Sequence, residues 1–364
     1  MAFRYVALRM AAALFGAIAS APLAARAADL AAPAIAAAGT THNRAQVLDW
    51  IDDTRFALGR WDGTVSVFRV PRAGESGPVV EQAWAAASGR GIEMLTTIDA
   101  RVVVVSDGPD RLALWKQGRD GRFAPAGTQR HAPEVGTANS GAALRIDGED
   151  WFVSGHENGH VLIWKRHSDT RLALVKSVDL HSANPIAAPY PLKNIRDLVR
   201  WRDRYLIAAS EDGDLVALEI PGGREIFRRR YNAEAKRGIN DVAVLGDWLL
   251  VANCAVGAGD RNLWLFDLAG GAPQLRDAAN LALDTQRSQV FNFEVELVGS
   301  PAQPAFFSST EEGLLWRGTV DDGRIVVSGV TKVAPDGGAV LDKAPSSDTL
   351  AAAAYQILLF KPTP

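Results

Sequence analysis

Along most of the chain the apolar positions fall in short runs, and one local pattern keeps returning. A β-type run leads into a polar turn with Gly or Asp, and a second β-type run ends on a large apolar residue. It reads FALGRWDGTVSVF over residues 56–68, WFVSGHENGHVLIW over 151–164 and LIAASEDGDLVAL over 206–218. Residues 102–115 and 249–266 are versions with longer turns, and 305–316 and 349–360 are weaker copies. The Asp-Gly and Asn-Gly pairs tolerate the positive φ that tight hairpins need. No long stretch carries a 3.6-residue periodicity, so the pattern predicts strands throughout.

The spacing of the copies decides the architecture. The terminal residues Phe68, Trp115, Trp164, Leu218 and Phe266 are separated by 47, 49, 54 and 48 positions, and Phe360 follows Phe266 by 94, with Trp316 between them. A period near 50 built from β units predicts a propeller rather than a solenoid. An apolar or alternating run precedes each hairpin (AQVLDWID, GIEMLTTID, NIRDLVRW, GINDVAVL). A more polar run follows it (VVEQAWAAA, RFAPAGTQR, REIFRRRYN, RIVVSGVTK), filling each unit out to four strands. The first run is expected to line the axis and the last to form the outer edge. Inner strands begin near Gln46, Glu93, Ala143, Asp197, Asp241, Phe293 and Ala339. The expected fold is all-β, a single seven-bladed β-propeller of four-stranded antiparallel blades over residues 44–364. Its last copy stops after a third strand, which would leave an open edge. The Ala-rich stretch 31–41, within a leader of residues 28–43, is placed to supply the missing strand. The other reading is a flexible leader, since Ala is a poor strand former.

The beginning of the chain reads as a targeting segment. Arg4 and Arg9 precede an apolar run over 10–21, and Ala25-Arg26-Ala27 gives a small-x-small cleavage pattern, so residues 1–27 are expected to be a signal peptide. The run is too short and Ala-rich to span a bilayer, and no Cys follows it to carry a lipid, so a periplasmic or secreted protein without membrane insertion is expected. Cys254 is the only cysteine. It excludes an internal disulfide framework and reads as a buried, unpaired packing residue. Removing Arg4, Arg9 and Arg26 moves the net charge from −3 to −6, with 36 basic residues against 42 acidic. That balance argues against general affinity for nucleic acid.

The unit RGINDVAVLGDWLLVAN…NLWLFDL over 237–268 resembles the LVIVD-type propeller repeat, and SGHENGHVLIWKR and ASEDGDLVALE resemble the closing hairpin of WD repeats. The resemblance covers nearly the whole predicted mature chain and implies a propeller. The chain departs from the WD pattern where third strands end, with Phe68-Arg69, Trp115-Lys116 and Trp164-Lys165 in place of Trp-Asp. Trp61-Asp62 lies in a turn instead, and the His-Ser-Asp hydrogen-bond network of regular WD blades is not traceable in the sequence.

Four features are candidates for chemistry. His156-Glu157-Asn158-Gly159-His160 spells the H-E-x-x-H zinc-protease motif, which needs a helix to put both imidazoles on one face. Strand-forming residues flank it and Asn158-Gly159 signals a turn, so His156 and His160 are read as a coincidental match. Replacing both is expected to behave as a surface change, and replacing Gly159 to matter more. Gln46, Glu93, Asp197 and Asp241 recur near inner-strand starts and would form a polar ring at one channel mouth, interrupted at Ala143 and Ala339; hard cations or polar ligands suit such a ring, and solvated strand ends are the plainer alternative. Arg196, Arg200, Arg228, Arg229 and Arg230 belong to a segment, 196–237, whose ten basic residues face eight acids. They are a candidate protein-docking patch or simply a solvated face. Trp115, Trp164 and Phe266 are expected to pack between blades, while Trp50, Trp84 and Trp201 stand in more polar contexts. No nucleophile elbow, P-loop, haem-attachment pair or cysteine cluster occurs. The expectation is a non-enzymatic, monomeric module without a cofactor that binds a protein partner in the cell envelope. The alternatives are a lactonase- or hydrolase-like propeller enzyme with a metal or substrate at the channel mouth, and a small-ligand sensor.

Overall fold

The computed structural model describes residues 35–361 apart from 42, 187–192, 258, 285, 286, 288 and 336. The expected signal peptide and the first part of the leader lie outside the described residues. Every described sheet is antiparallel, and all but the closing one are built from four-strand meanders. The first blade runs Ala45–Asp52, Arg55–Arg60, Thr64–Arg69 and Val79–Ala85, the second Leu95–Ile98, Val102–Ser106, Arg111–Gln117 and Phe123–Arg130. The third runs Ala138–Ile146, Glu149–His156, His160–Ser168 and Arg171–Asp179, the fourth Ile195–Trp201, Tyr205–Ser210, Asp214–Glu219 and Arg224–Arg230. An eight-stranded sheet then joins two meanders, 239–279 and 289–332. The link is a long second strand, Trp248–Val256, whose end pairs Cys254 with Phe291 and Val256 with Gln289. The closing blade holds Val340–Lys343, Leu350–Ala353 and Gln356–Phe360, and Ile35–Thr40 lies antiparallel to the last of these, Gly39 opposite Ile357. One blade is thus assembled from both ends of the chain.

The second and third strands of each blade are covered on both faces by neighbouring blades, and the apolar clusters lie between blades rather than within them. Trp164 and Phe152 of the third blade pack with Val104, Leu114 and Ile98 of the second. Trp316 and Phe306 pack across the eight-stranded sheet with Leu250 and Leu265. Removing one such large side chain is worth about 3 kcal/mol or more, because the rigid blades cannot collapse into the space. Trp164 and Phe266 fill inter-blade space, while Trp115 is partly buried and stacks on Trp84 at 4.6 Å between ring centroids. Trp50 and Trp201 are buried despite their polar neighbours, since an inner strand also turns alternate side chains toward the two adjoining blades.

Cys254 is buried and free, its Sγ 3.5 Å from the Ala255 carbonyl oxygen. Burial pushes its thiol up to about 12, so at neutral pH almost none is the reactive thiolate. A bulky maleimide is therefore expected to label the native protein only as fast as the surrounding strands open. Rapid labelling under native conditions would contradict this placement.

Candidate functional site: the axial channel

The inner strands surround a channel of about 1320 Å³. Gln46, Glu93, Asp197 and Asp241 all line it, together with Arg196 and Arg200. Of the four ring residues, Asp197 and Asp241 lie near enough for each carboxyl to act on the other. Gln46 stands on the inner strand of the first blade and Glu93 in the loop before that of the second, and Gln46 leaves its Oε1 buried without a partner.

The channel also holds four carboxyls that the sequence reading passed over: Asp49, Glu294, Glu296 and Asp342. Their hydrogen bonds show why acids recur there. The Trp50 amide donates to Asp342 Oδ2 at 2.8 Å, and the Thr97 amide donates to Asp49 Oδ2. The Val295 amide donates to Asp241 Oδ2 at 2.7 Å. In each case a carboxyl on one inner strand takes a backbone N–H from the inner strand of the next blade. These strands are too far apart to form a ladder with each other, so the acids bridge the ring at three junctions. The recurrence of Leu-Asp in the first and closing inner strands, Leu48-Asp49 and Leu341-Asp342, was the available sequence signal.

Crowding so many acids into a narrow space changes their protonation. Burial raises Asp49 to about 6 and Glu294 to about 8, the latter with a further push from Asp197. Asp241 rises well above the usual carboxylate range through burial and the neighbouring Glu294 and Asp197. Asp342 does so through burial and the neighbouring Asp49 and Glu296. Lys343, 3.5 Å from Glu296, tempers the rise there. At neutral pH the wall therefore keeps part of its carboxyl set as neutral acids. Among the described residues no three His, Cys, Asp or Glu side chains converge on a point that would hold a metal.

The basic candidates are divided by the radius of the disc. Arg196 and Arg200 are exposed on the channel wall, Arg196 3.8 Å from Glu211. Arg228, Arg229 and Arg230 lie on the outer strand of the same blade and are tied down there. Arg228 pairs with Asp214 at 3.3 Å and Glu225 at 2.8 Å, Arg229 donates to the Pro273 carbonyl at 2.6 Å, and Arg230 to Asp212 O at 2.9 Å. The five do not form one surface.

The segment His156–His160 is a hairpin: Glu149–His156 pairs with His160–Ser168, and Gly159 takes φ +75° between them. His156 nevertheless departs from the surface role expected of it. It is fully buried, its Nε2 2.8 Å from Ser154 Oγ and its Nδ1 2.9 Å from the Gly136 carbonyl, while Trp164 Nε1 donates to the same Ser154 Oγ at 3.0 Å. The third blade thus does hold a Trp–Ser–His network, the very kind not traceable in the sequence. The meander 239–279 has a counterpart written in other residues, with Trp264 Nε1 donating to Asn253 Oδ1 at 2.9 Å and Asn253 Nδ2 to Tyr231 Oη at 3.0 Å.

At one rim of the channel stands Trp61, 57% exposed in the turn between second and third strands. The sequence reading gave it no role. Its carbonyl crowds Gly91, where an added Cβ would lie 3.3 Å away, so the turn is held against the next loop.

No family model matches the chain, and no curated protein sequence does. Solved structures do. The chain is similar to the WD40 β-propeller domain of Doa1, with TM-score 0.63 and 14% identity over 90% of this chain and 97% of that one. It is likewise similar to the β-propeller domain of Cps50 (Swd1) from Myceliophteria thermophila, with TM-score 0.64 and 15% identity over 91% of this chain and 100% of that one. At that identity the likeness is one of fold, and the fold is that of a β-propeller.

Proposed function

We propose that this chain is an exported, non-enzymatic interaction module that captures a protein partner on the rim bearing Trp61. Taking each half of the eight-stranded sheet as one blade, the reading is of a seven-bladed disc acting as a monomer in the cell envelope, delivered there by the segment 1–27. The observation that carries it is the exposure of Trp61 beside the channel mouth. Tyr355 and Leu283, also exposed, lie in turns and loops at the same end, where inner strands start and second strands finish. Large aromatic side chains of this kind anchor protein interfaces. The rival enzyme reading needs carboxylates free to act, whereas here they accept backbone amides from neighbouring blades.

Immobilised protein is expected to retain one protein from periplasmic extract, and Trp61→Ala to weaken that capture by about 30-fold, the effect of losing a ~2 kcal/mol anchor. Equal capture by the variant would remove this rim from the interface, and failure to retain any protein would count against the module itself.

A further inference from the structure

Four of the six histidines, His131, His156, His160 and His181, gather at one end of the third blade. His156 is used up by its network, both ring nitrogens being engaged. His160 and His181 differ. His160 opens the third strand of the blade, and its Nδ1 lies 3.1 Å from the Asn158 carbonyl. His181 follows the outer strand, and its Nδ1 lies 2.7 Å from Asp179 Oδ1. The two ring centroids lie 5.9 Å apart, with the ring planes at 85° to each other.

Each ring therefore has Nδ1 oriented by an oxygen, a carboxylate in one case and a carbonyl in the other. This is how proteins fix the tautomer of a metal-binding imidazole, leaving Nε2 with its lone pair. The Nε2 of His181 is buried with no hydrogen-bond partner, and buried polar nitrogens in folded proteins almost always have one. No hydrogen bond among the described residues engages His160 Nε2. We propose that His160 and His181 bind a single divalent first-row transition ion, such as Zn²⁺ or Cu²⁺, through their Nε2 atoms, with Asp179 as the positioning residue for His181. Imidazole suits these ions.

The spacing fits. Two imidazoles sharing an ion at Nε2 distances of about 2.0–2.1 Å place their centroids roughly 5–6 Å apart at tetrahedral or somewhat wider angles. Gly159 keeps the approach open, since a Cβ there would lie 3.1 Å from His181 Nε2. With no third side chain converging, the remaining positions belong to water. The H-E-x-x-H spelling thus contributes one ligand, His160, and the second comes from a different strand end rather than from His156.

The test is titration of the full, untagged protein with Zn²⁺ by calorimetry, with Cu²⁺ as a paramagnetic probe. One ion per chain is expected, and the Cu²⁺ spectrum should show hyperfine coupling to two nitrogens. His160→Ala and His181→Ala should each abolish this uptake, and Asp179→Asn should weaken it by about tenfold or more. His167→Ala, at an exposed position near the far end of the strand that His160 opens, should bind as the wild type does. If His181→Ala melts below wild type without metal, His181→Gln and His160→Ala carry the comparison. No uptake by the wild type, a one-nitrogen spectrum, or undiminished uptake by either His160 or His181 variant would overturn the site.

Discussion

Replacing His156 by Ala is expected to destabilise the protein by about 3 kcal/mol, the range for breaking a buried hydrogen-bond network and leaving partners unpaired. The variant removes a fully buried ring and strands two polar groups, Ser154 Oγ on its ring side and the Gly136 carbonyl. Trp164 still donates to Ser154, but that hydroxyl then has one partner where it had two. His160→Ala, at a half-buried strand start, should stay within about 0.5 kcal/mol when no metal is present. Gly159→Ala falls between, at about 1 kcal/mol or more, because φ +75° disfavours any Cβ. Denaturant unfolding of the three variants gives the order directly. An unchanged midpoint for His156→Ala would mean that the third blade does not close through this network. The ring is also pushed down to about 3 by burial, so it stays neutral in the fold while the unfolded chain takes up a proton. Its contribution is complete above the ordinary histidine value and declines as pH falls below it.

That a buried histidine was read as a turn residue has a physical cause. The strand pattern ends visibly at Gly155, and a motif that looks like a turn begins with His156, yet the ladder continues until His156 faces Ala138. The second strand of this blade is buried along six consecutive positions from Trp151, so alternation gives no information about which side chains enter the interior. The same holds for Trp50 and Trp201, whose polar neighbours point elsewhere. What could be read was the repeat: a hairpin every 50 residues or so is a local pattern, and the strand boundaries follow from its turns. The channel acids were only half legible. Asp197 and Asp241 were visible by position, while Asp49, Asp342 and the glutamates bridge to strands about 50 or, at the closure, 292 residues away. Such contacts exist only once the ring is shut. Trp61 was missed for a different reason, since exposure at a rim depends on which neighbouring loops leave it uncovered.

Glu294→Gln is expected to stabilise the protein at pH 8, by on the order of 1 kcal/mol or more, and to have little effect near pH 4.5. The sign follows from the raised carboxyl. In the fold Glu294 keeps its proton until about 8, whereas the unfolded chain releases it near 4.5. Below the lower value both states are protonated and the group costs nothing. Between the two the unfolded chain binds fewer protons than the native one, so stability falls as pH rises, and above about 8 the loss is complete. Glutamine is a neutral match for the protonated acid in size and shape. Asp49, raised to about 6, adds a loss of the same sign at lower pH. His156 works in the opposite direction only below the ordinary histidine value, so the interval from pH 6.5 to 8 isolates the carboxyls. Over that interval the wild-type melting temperature should drop and that of Glu294→Gln should drop less. Parallel curves for the two proteins would show that Glu294 is already ionised in the fold, its charge met by the cations of the wall, Arg196 foremost. The bridging acids would then hold the ring as ion pairs rather than as neutral hydrogen-bond partners.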